Sequence, residues 1–234
     1  MNEDSSDFFD DSEWEDIPEP IWQEFDWQRY LNESDGEIER FLQLYEASKP
    51  IHERLDQVAS QMGWDSSDWS IEDRTPSQGP TELDTSIPEA ERRDLADFEP
   101  YTVHQHPIYI ATRALFLMVR RGWESLLCAG LAPADAKLSW MLGRALHEGE
   151  VSGLLATQAV ELGDVELAVC HFKRSLFEIN RVLAILPDHN LVRSKVVRLF
   201  DRSAKSALFD LREIALRVIY ECREEARRRP GDSD

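Results

Sequence analysis

Between residues 101 and 229 proline stands at only three positions, 107, 133 and 187, and apolar residues recur at helical spacing between them. Proline has no amide hydrogen and clashes with the preceding turn, so it opens a helix or follows its end. This punctuation predicts helices starting at Pro107 and Pro133, a third after the Gly163-Asp164 turn, and a last one from about Asn190. The first, running to about Cys128, carries Ile108, Ala111, Leu115 and Met118 on one stripe and Ile110, Ala114 and Leu117 on another. Two apolar stripes mark it as the most buried helix. The last keeps Val192, Val196, Leu199, Ala207, Leu211, Ile214, Val218 and Cys222 on one face, a span of roughly 46 Å at 1.5 Å per residue. Long helices joined by short turns favour antiparallel neighbours. The expected fold is all-α: an antiparallel four-helix bundle core over about 104–229 with an N-terminal acidic, partly helical appendage.

Charge divides the chain at the same place. The 26 Lys and Arg against 46 Asp and Glu leave a formal net charge of −20. Residues 1–100 hold 29 acidic and 7 basic side chains, net −22, whereas residues 101–234 hold 17 and 19, net +2. A free nucleic-acid binder working through phosphate neutralisation is disfavoured by this balance. Cys128, Cys170 and Cys222 form no close pair, which excludes a disulfide framework and a cysteine-based zinc site.

Four zones precede or follow the core. Residues 1–33 read as an acidic-aromatic arm, largely disordered, whose first 28 residues contain 11 acids and no base. Phe8, Phe9, Trp14, Trp22, Phe25 and Trp27 are interleaved with those acids, and a short helix is expected over Ile21–Leu31. Segments that merely solvate a chain lack aromatics; here the rings can dock on a partner or on the chain's own helices. Residues 34–63 read as a helical appendage, with Ser34 and Glu37 in a capping-box pattern, a kink at Pro50 and a close at Gly63. Residues 64–100 are rich in Pro, Ser and Asp and read as a linker, and 230–234 as a tail. Neither a signal peptide nor an apolar run approaching the ~20 residues of a membrane span is present. A cytoplasmic location is therefore expected, with no membrane partner.

The second core helix carries a stripe of small residues, Ala145, Gly149, Ser152, Ala156 and Ala159, with Gly143 and Gly153 beside it. Glycine costs a soluble helix about 1 kcal/mol relative to alanine. A closely approaching helix, a ligand groove, or a break at Gly149 would each account for it. The same helix bears polar residues that match partners across the Gly163 turn, whose register sets position 147 against about 179. Arg144, His147, Glu148, Glu150, Glu178 and Arg181 are expected to form an interhelical polar cluster, with Arg144 and Glu178 beside His147 and Glu150 near Arg181. His171 falls about eight residues, roughly 12 Å, too far along the hairpin to join His147 on a metal.

No catalytic, metal or cofactor site is assigned. No His has Glu three residues before it, so the di-iron bundle pattern is missing, and His147-Glu148 lacks the second His of a zincin. His104-Gln105-His106 has ligand spacing without neighbouring carboxylates. Phosphate loops, dinucleotide fingerprints and nucleophile elbows are absent.

Gly163-Asp164, Ala168, Phe172 and Ser175, with Ala156 and Ala159 before them, resemble the turn and small positions of a tetratricopeptide repeat. The likeness spans about 35 residues, Pro187 comes later than that family's usual helix end, and no second copy follows at a 34-residue period. It implies a helical hairpin and no function.

Residues 189–229 hold 11 Lys and Arg against 6 acids. The leading expectation is an interaction or scaffold protein whose arm docks on an unidentified protein partner, on itself, or on this basic last helix. The alternatives are a small-molecule or metal-binding bundle near His147 and Glu150, and a nucleic-acid-related protein with a phosphate-mimicking arm.

Overall fold

The computed structural model describes residues 22–48, 53–64, 102–131, 136–186 and 194–228. Helix α6, Lys195–Arg228, keeps Val197, Ala204, Leu208, Leu211, Ile214, Val218 and Cys222 buried along one face. It packs between α3 (Pro107–Cys128) and α5 (Val165–Ile185), while α4 (Ala136–Glu161) lies between α3 and α5 on the opposite side. The four helices close an antiparallel ring around one apolar core, and no strand occurs among the described residues. Pro107 occupies the first turn of α3, where its missing amide hydrogen costs nothing. The His106 side chain caps that turn by accepting a hydrogen bond from the Ile108 N–H. Asp164 caps α5 through the Leu167 N–H, directly after Gly163, whose φ of 73° only glycine adopts without strain.

The N-terminal helices depart from expectation. Helix α1 runs unbroken from Glu24 to Ala47 and crosses the expected arm–appendage boundary at residue 33. Its capping box is formed by Gln23 and Asp26, so Ser34 and Glu37 sit in mid-helix. The cause is burial: Tyr30, Ile38, Phe41 and Tyr45 recur on one face and fix a single helix through weak formers such as Gly36. Helix α2, Arg54–Met62, follows and ends at Gly63 in the left-handed conformation, as its position suggested. The kink residue Pro50 lies between the two helices, outside the described residues.

Packing does not respect the expected division at residue 101. Phe41, Tyr45, Leu55, Val58 and Met62 belong to the same continuous core as the bundle residues. Helix α1 lies along α3 and α2 folds back against α1, with Arg54 and Asp56 reaching α6. The pair covers the α3–α6 side of the ring and leaves the α4–α5 side facing outward.

Helix α4 continues through Gly149 without a break. A Cβ at Gly149 would lie 3.1 Å from the Phe116 ring and 3.3 Å from the Glu178 Cβ; one at Gly153 would lie 2.9 Å from Thr112 Cγ2. Neighbouring helices therefore fill the stripe at Gly149 and Gly153, while a Cβ at Gly143 would meet open space. Ser175 seals the contact by donating to the Gly149 carbonyl at 2.8 Å.

Candidate functional site

The polar cluster expected on α4 divides into an inner and an outer part. Glu150 is only 3% exposed and points toward α3, where Arg113 and Arg120 both donate to its carboxylate, the latter at 2.9 Å. Arg113 and Arg120 are seven residues apart, two helical turns, so their guanidiniums close on one carboxylate from either side. The expected Glu150–Arg181 pairing is thus replaced by a pairing with α3. Arg181 instead bonds Glu178 at 2.8 Å and approaches Glu148 at 4.0 Å, and Arg144 bonds Glu148 at 2.7 Å. His147 is exposed and lines a shallow groove with Glu148 and Glu178, so these members do share the outer face. Every carboxylate of the cluster is neutralised by arginine, which leaves no ligand set for a cation. Among the described residues no group of three or more His, Cys, Asp and Glu could hold a metal.

His104 and His106 face different ways. His106 is fully buried, with Nε2 3.0 Å from Glu161 Oε1, and ties the start of α3 to the end of α4. Because Nδ1 accepts from a backbone amide, the neutral ring carries its proton on the nitrogen facing Glu161. His104 packs edge-on against Tyr30 and Tyr109, at centroid distances of 5.9 and 4.9 Å. Burial lowers its pKa below the ordinary 6.5, with the negative charge of Asp35 acting the other way.

The aromatic positions of the arm are settled in part. Phe8, Phe9 and Trp14 lie outside the described residues. Trp22 is half-buried and packs edge-on with Trp27 and Tyr30, at 4.8 and 5.5 Å. The Tyr30 hydroxyl bonds Thr102 Oγ1, so a row of rings joins the start of α1 to the start of α3. Phe25 and Trp27 remain exposed on the first turns of α1.

A surface not singled out residue by residue in the sequence lies along the outer face of α6. Phe209, Leu216 and Tyr220 are each more than half exposed and fall at i, i+7 and i+11, which is one stripe. Arg198 and Arg202 precede them, Arg223 follows, and Arg212 falls between, its guanidinium over the Phe209 ring, 5.6 Å from the centroid. Glu213, the acid within the stripe, is held by Arg217 at 2.5 Å. The face is basic and aromatic. Its signal in the sequence was the excess of arginine with apolar residues off the core-facing positions.

A separate cleft of about 870 Å³ opens between α1, α3 and the start of α6. Leu42, Met118, Val119 and Phe200 form its floor and the Glu39–Arg121 ion pair, at 2.5 Å, stands among its lining residues.

Cys222 is buried at the α6 core, and burial, aided by Glu221, pushes its thiol pKa up to about 12. Cys128 and Cys170 are exposed. Only the thiolate is nucleophilic. In folded protein at pH 8, iodoacetamide is expected to label Cys128 and Cys170 while Cys222 reacts only after denaturation, as intact and peptide mass spectrometry would read. Rapid native labelling of Cys222 would contradict its placement.

No protein-family model matches the chain, and comparison with curated proteins and with solved structures finds no significant match. No described helix is long and apolar enough to cross a membrane.

Proposed function

We propose that the protein is a helical interaction scaffold of the cytoplasm whose acidic-aromatic N-terminal arm docks on the basic outer face of its own last helix. The observation that carries this reading is the α6 stripe, in which Phe209, Leu216 and Tyr220 lie among Arg202, Arg212 and Arg223. Residues 1–21, ahead of α1, carry 9 acids, no base and the rings of Phe8, Phe9 and Trp14, which is the complementary chemistry. Acids steer such an encounter and rings supply its affinity.

Reach supports it as well. Helix α6 begins where α3 ends, with Trp123 and Phe200 rings 6.1 Å apart, so the two helices run antiparallel. The end of α6 therefore lies toward the start of α3, next to Trp22, from which the arm departs. Twenty-one residues span up to about 70 Å when extended, against roughly 51 Å for the whole of α6. An arm held this way is released when a stronger acidic or aromatic ligand takes the stripe, which is how the scaffold would recognise a partner.

Limited proteolysis of the full chain with endoproteinase Glu-C tests the reading. Arg212→Glu with Arg223→Glu is expected to speed cleavage within residues 1–21 about tenfold, with unchanged helix content, and 0.5 M salt should have a similar effect on the parent chain. Equal cleavage rates in the parent and the double variant would sink it.

A further inference from the structure

The side of the bundle that α1 and α2 leave open carries a different kind of surface. Trp140 on α4 is 62% and Leu162 in the turn just after it 77% exposed, with Val151 and Leu155 between them, and on α5 Phe177 is 63% exposed. The outward line of α4 reads Trp140, Arg144, His147, Val151, Leu155, Gln158, Leu162. Its spacings are symmetric about Val151: four, seven and eleven residues in each direction. The line extends roughly 33 Å. Its charged member, Arg144, is held by Glu148 at 2.7 Å and lies over the Trp140 ring at 5.4 Å.

We propose that this face is a self-association surface, on which a second copy of the chain packs its own α4 antiparallel about a two-fold axis at Val151. In that arrangement Val151 meets Val151, Trp140 meets Leu162, and His147 meets Leu155, each contact made twice as a two-fold requires. Antiparallel helices also set opposite dipole ends side by side. The register within the hairpin agrees with this axis. Ser175 bonds Gly149 and lies 3.5 Å from a Cβ at Gly153, so it stands level with Val151. The same axis then brings Arg174 over Phe177 of the second copy, a cation–π contact. A groove of about 460 Å³ between α4 and α5, lined by His147, Val151, Arg174 and Phe177, faces the same groove of the second copy across this axis.

Area selects a second copy as the occupant. With aromatic side chains offering about 150–250 Å² each, the exposed residues of this face amount to on the order of 700 Å², close to the ~800 Å² that each partner contributes to a stable interface. The largest apolar patch on a lone protein is usually ~300–600 Å². The middle of the line, Val151 and Leu155, is apolar, as interface centres are. The proposal does not rest on the arm reading, and its test leaves α6 unaltered except in a control.

Sedimentation of the full chain at tens of micromolar is expected to give twice the 27.1 kDa chain mass. Trp140→Glu with Leu155→Glu should return the monomer with helix content unchanged. In a Cys128→Ser, Cys170→Ser background, Val151→Cys should form an intermolecular disulfide under mild oxidation, because the axis places that position against itself. Phe209→Cys in the same background should not. A monomeric parent chain, a dimer insensitive to the double glutamate variant, or cross-linking at Phe209→Cys but not at Val151→Cys would each overturn the proposal.

Discussion

Glu150→Ala is expected to destabilise the fold by about 2–4 kcal/mol, the larger part of the ~3–5 kcal/mol that breaking a buried ion pair costs. The carboxylate is almost wholly buried, while the Arg113 and Arg120 side chains are about a third exposed, so water recovers some of their charge. That partial exposure sets the discount from the full range. Two guanidiniums then face each other across a small cavity with no anion between them. Urea titration should show a lower midpoint at unchanged slope. Removing the cations as well should restore stability: in the Glu150→Ala background, Arg113→Ala costs much less than it does alone, a coupling that a double-mutant cycle reads directly. A loss below about 0.5 kcal/mol for Glu150→Ala, typical of an exposed pair, would contradict the arrangement.

The same residue shows what could be read from sequence and what could not. Pro107, Gly163 and Asp164 act locally, through a missing amide, a positive φ and a side-chain cap, so the helix limits they set were legible. The stripe of small residues announced a close contact, but only the positions of Phe116 and Thr112 distinguish contact from groove or break. Glu150 was placed with the outer polar residues because its partner on α5 was sought through the hairpin register. Helical spacing also puts it beside Leu146, Gly149 and Gly153 on the buried face. Two arginines two turns apart on the most apolar helix were the remaining signal, and pairing them with Glu150 needs the α3–α4 packing. A helix was expected over Ile21–Leu31, but its unbroken run into the next was missed for a related reason. Ser34 and Glu37 satisfy a capping pattern locally, and the burial of Tyr30 four residues earlier overrides it. The docking of the appendage rests on contacts more than 150 residues apart in sequence, for which no local pattern exists.

Those contacts carry the second large effect. Asp210 on α6 accepts from the Tyr45 hydroxyl at 2.5 Å and from Arg54 Nε at 2.6 Å, while Arg54 Nη2 reaches Ser206 at 2.6 Å. The guanidinium also lies over the Tyr45 ring, 4.4 Å from its centroid. Burial, reinforced by Asp210, raises the Tyr45 pKa above its ordinary value, so the hydroxyl keeps its proton and donates. The Arg54 and Asp210 side chains are 11% and 14% exposed, which leaves little water to replace a lost partner. Asp210→Ala strands a buried hydroxyl, at about 1–3 kcal/mol, together with a nearly buried cation, and a total near 3 kcal/mol is expected. Arg217→Ala removes the pair with Asp56, both about half exposed, and should cost no more than about 0.5 kcal/mol. Hydrogen exchange distinguishes local from global loosening. In Asp210→Ala, amides of α1 and α2 should exchange faster while those of α4 and α5 keep their protection, because the lost bonds join the N-terminal pair to α6 and none joins α4 to α5. Equal acceleration throughout would mean that α1 and α2 unfold only with the whole bundle. Faster exchange confined to α1 and α2 would make Asp210 the residue that secures the N-terminal helix pair to the bundle.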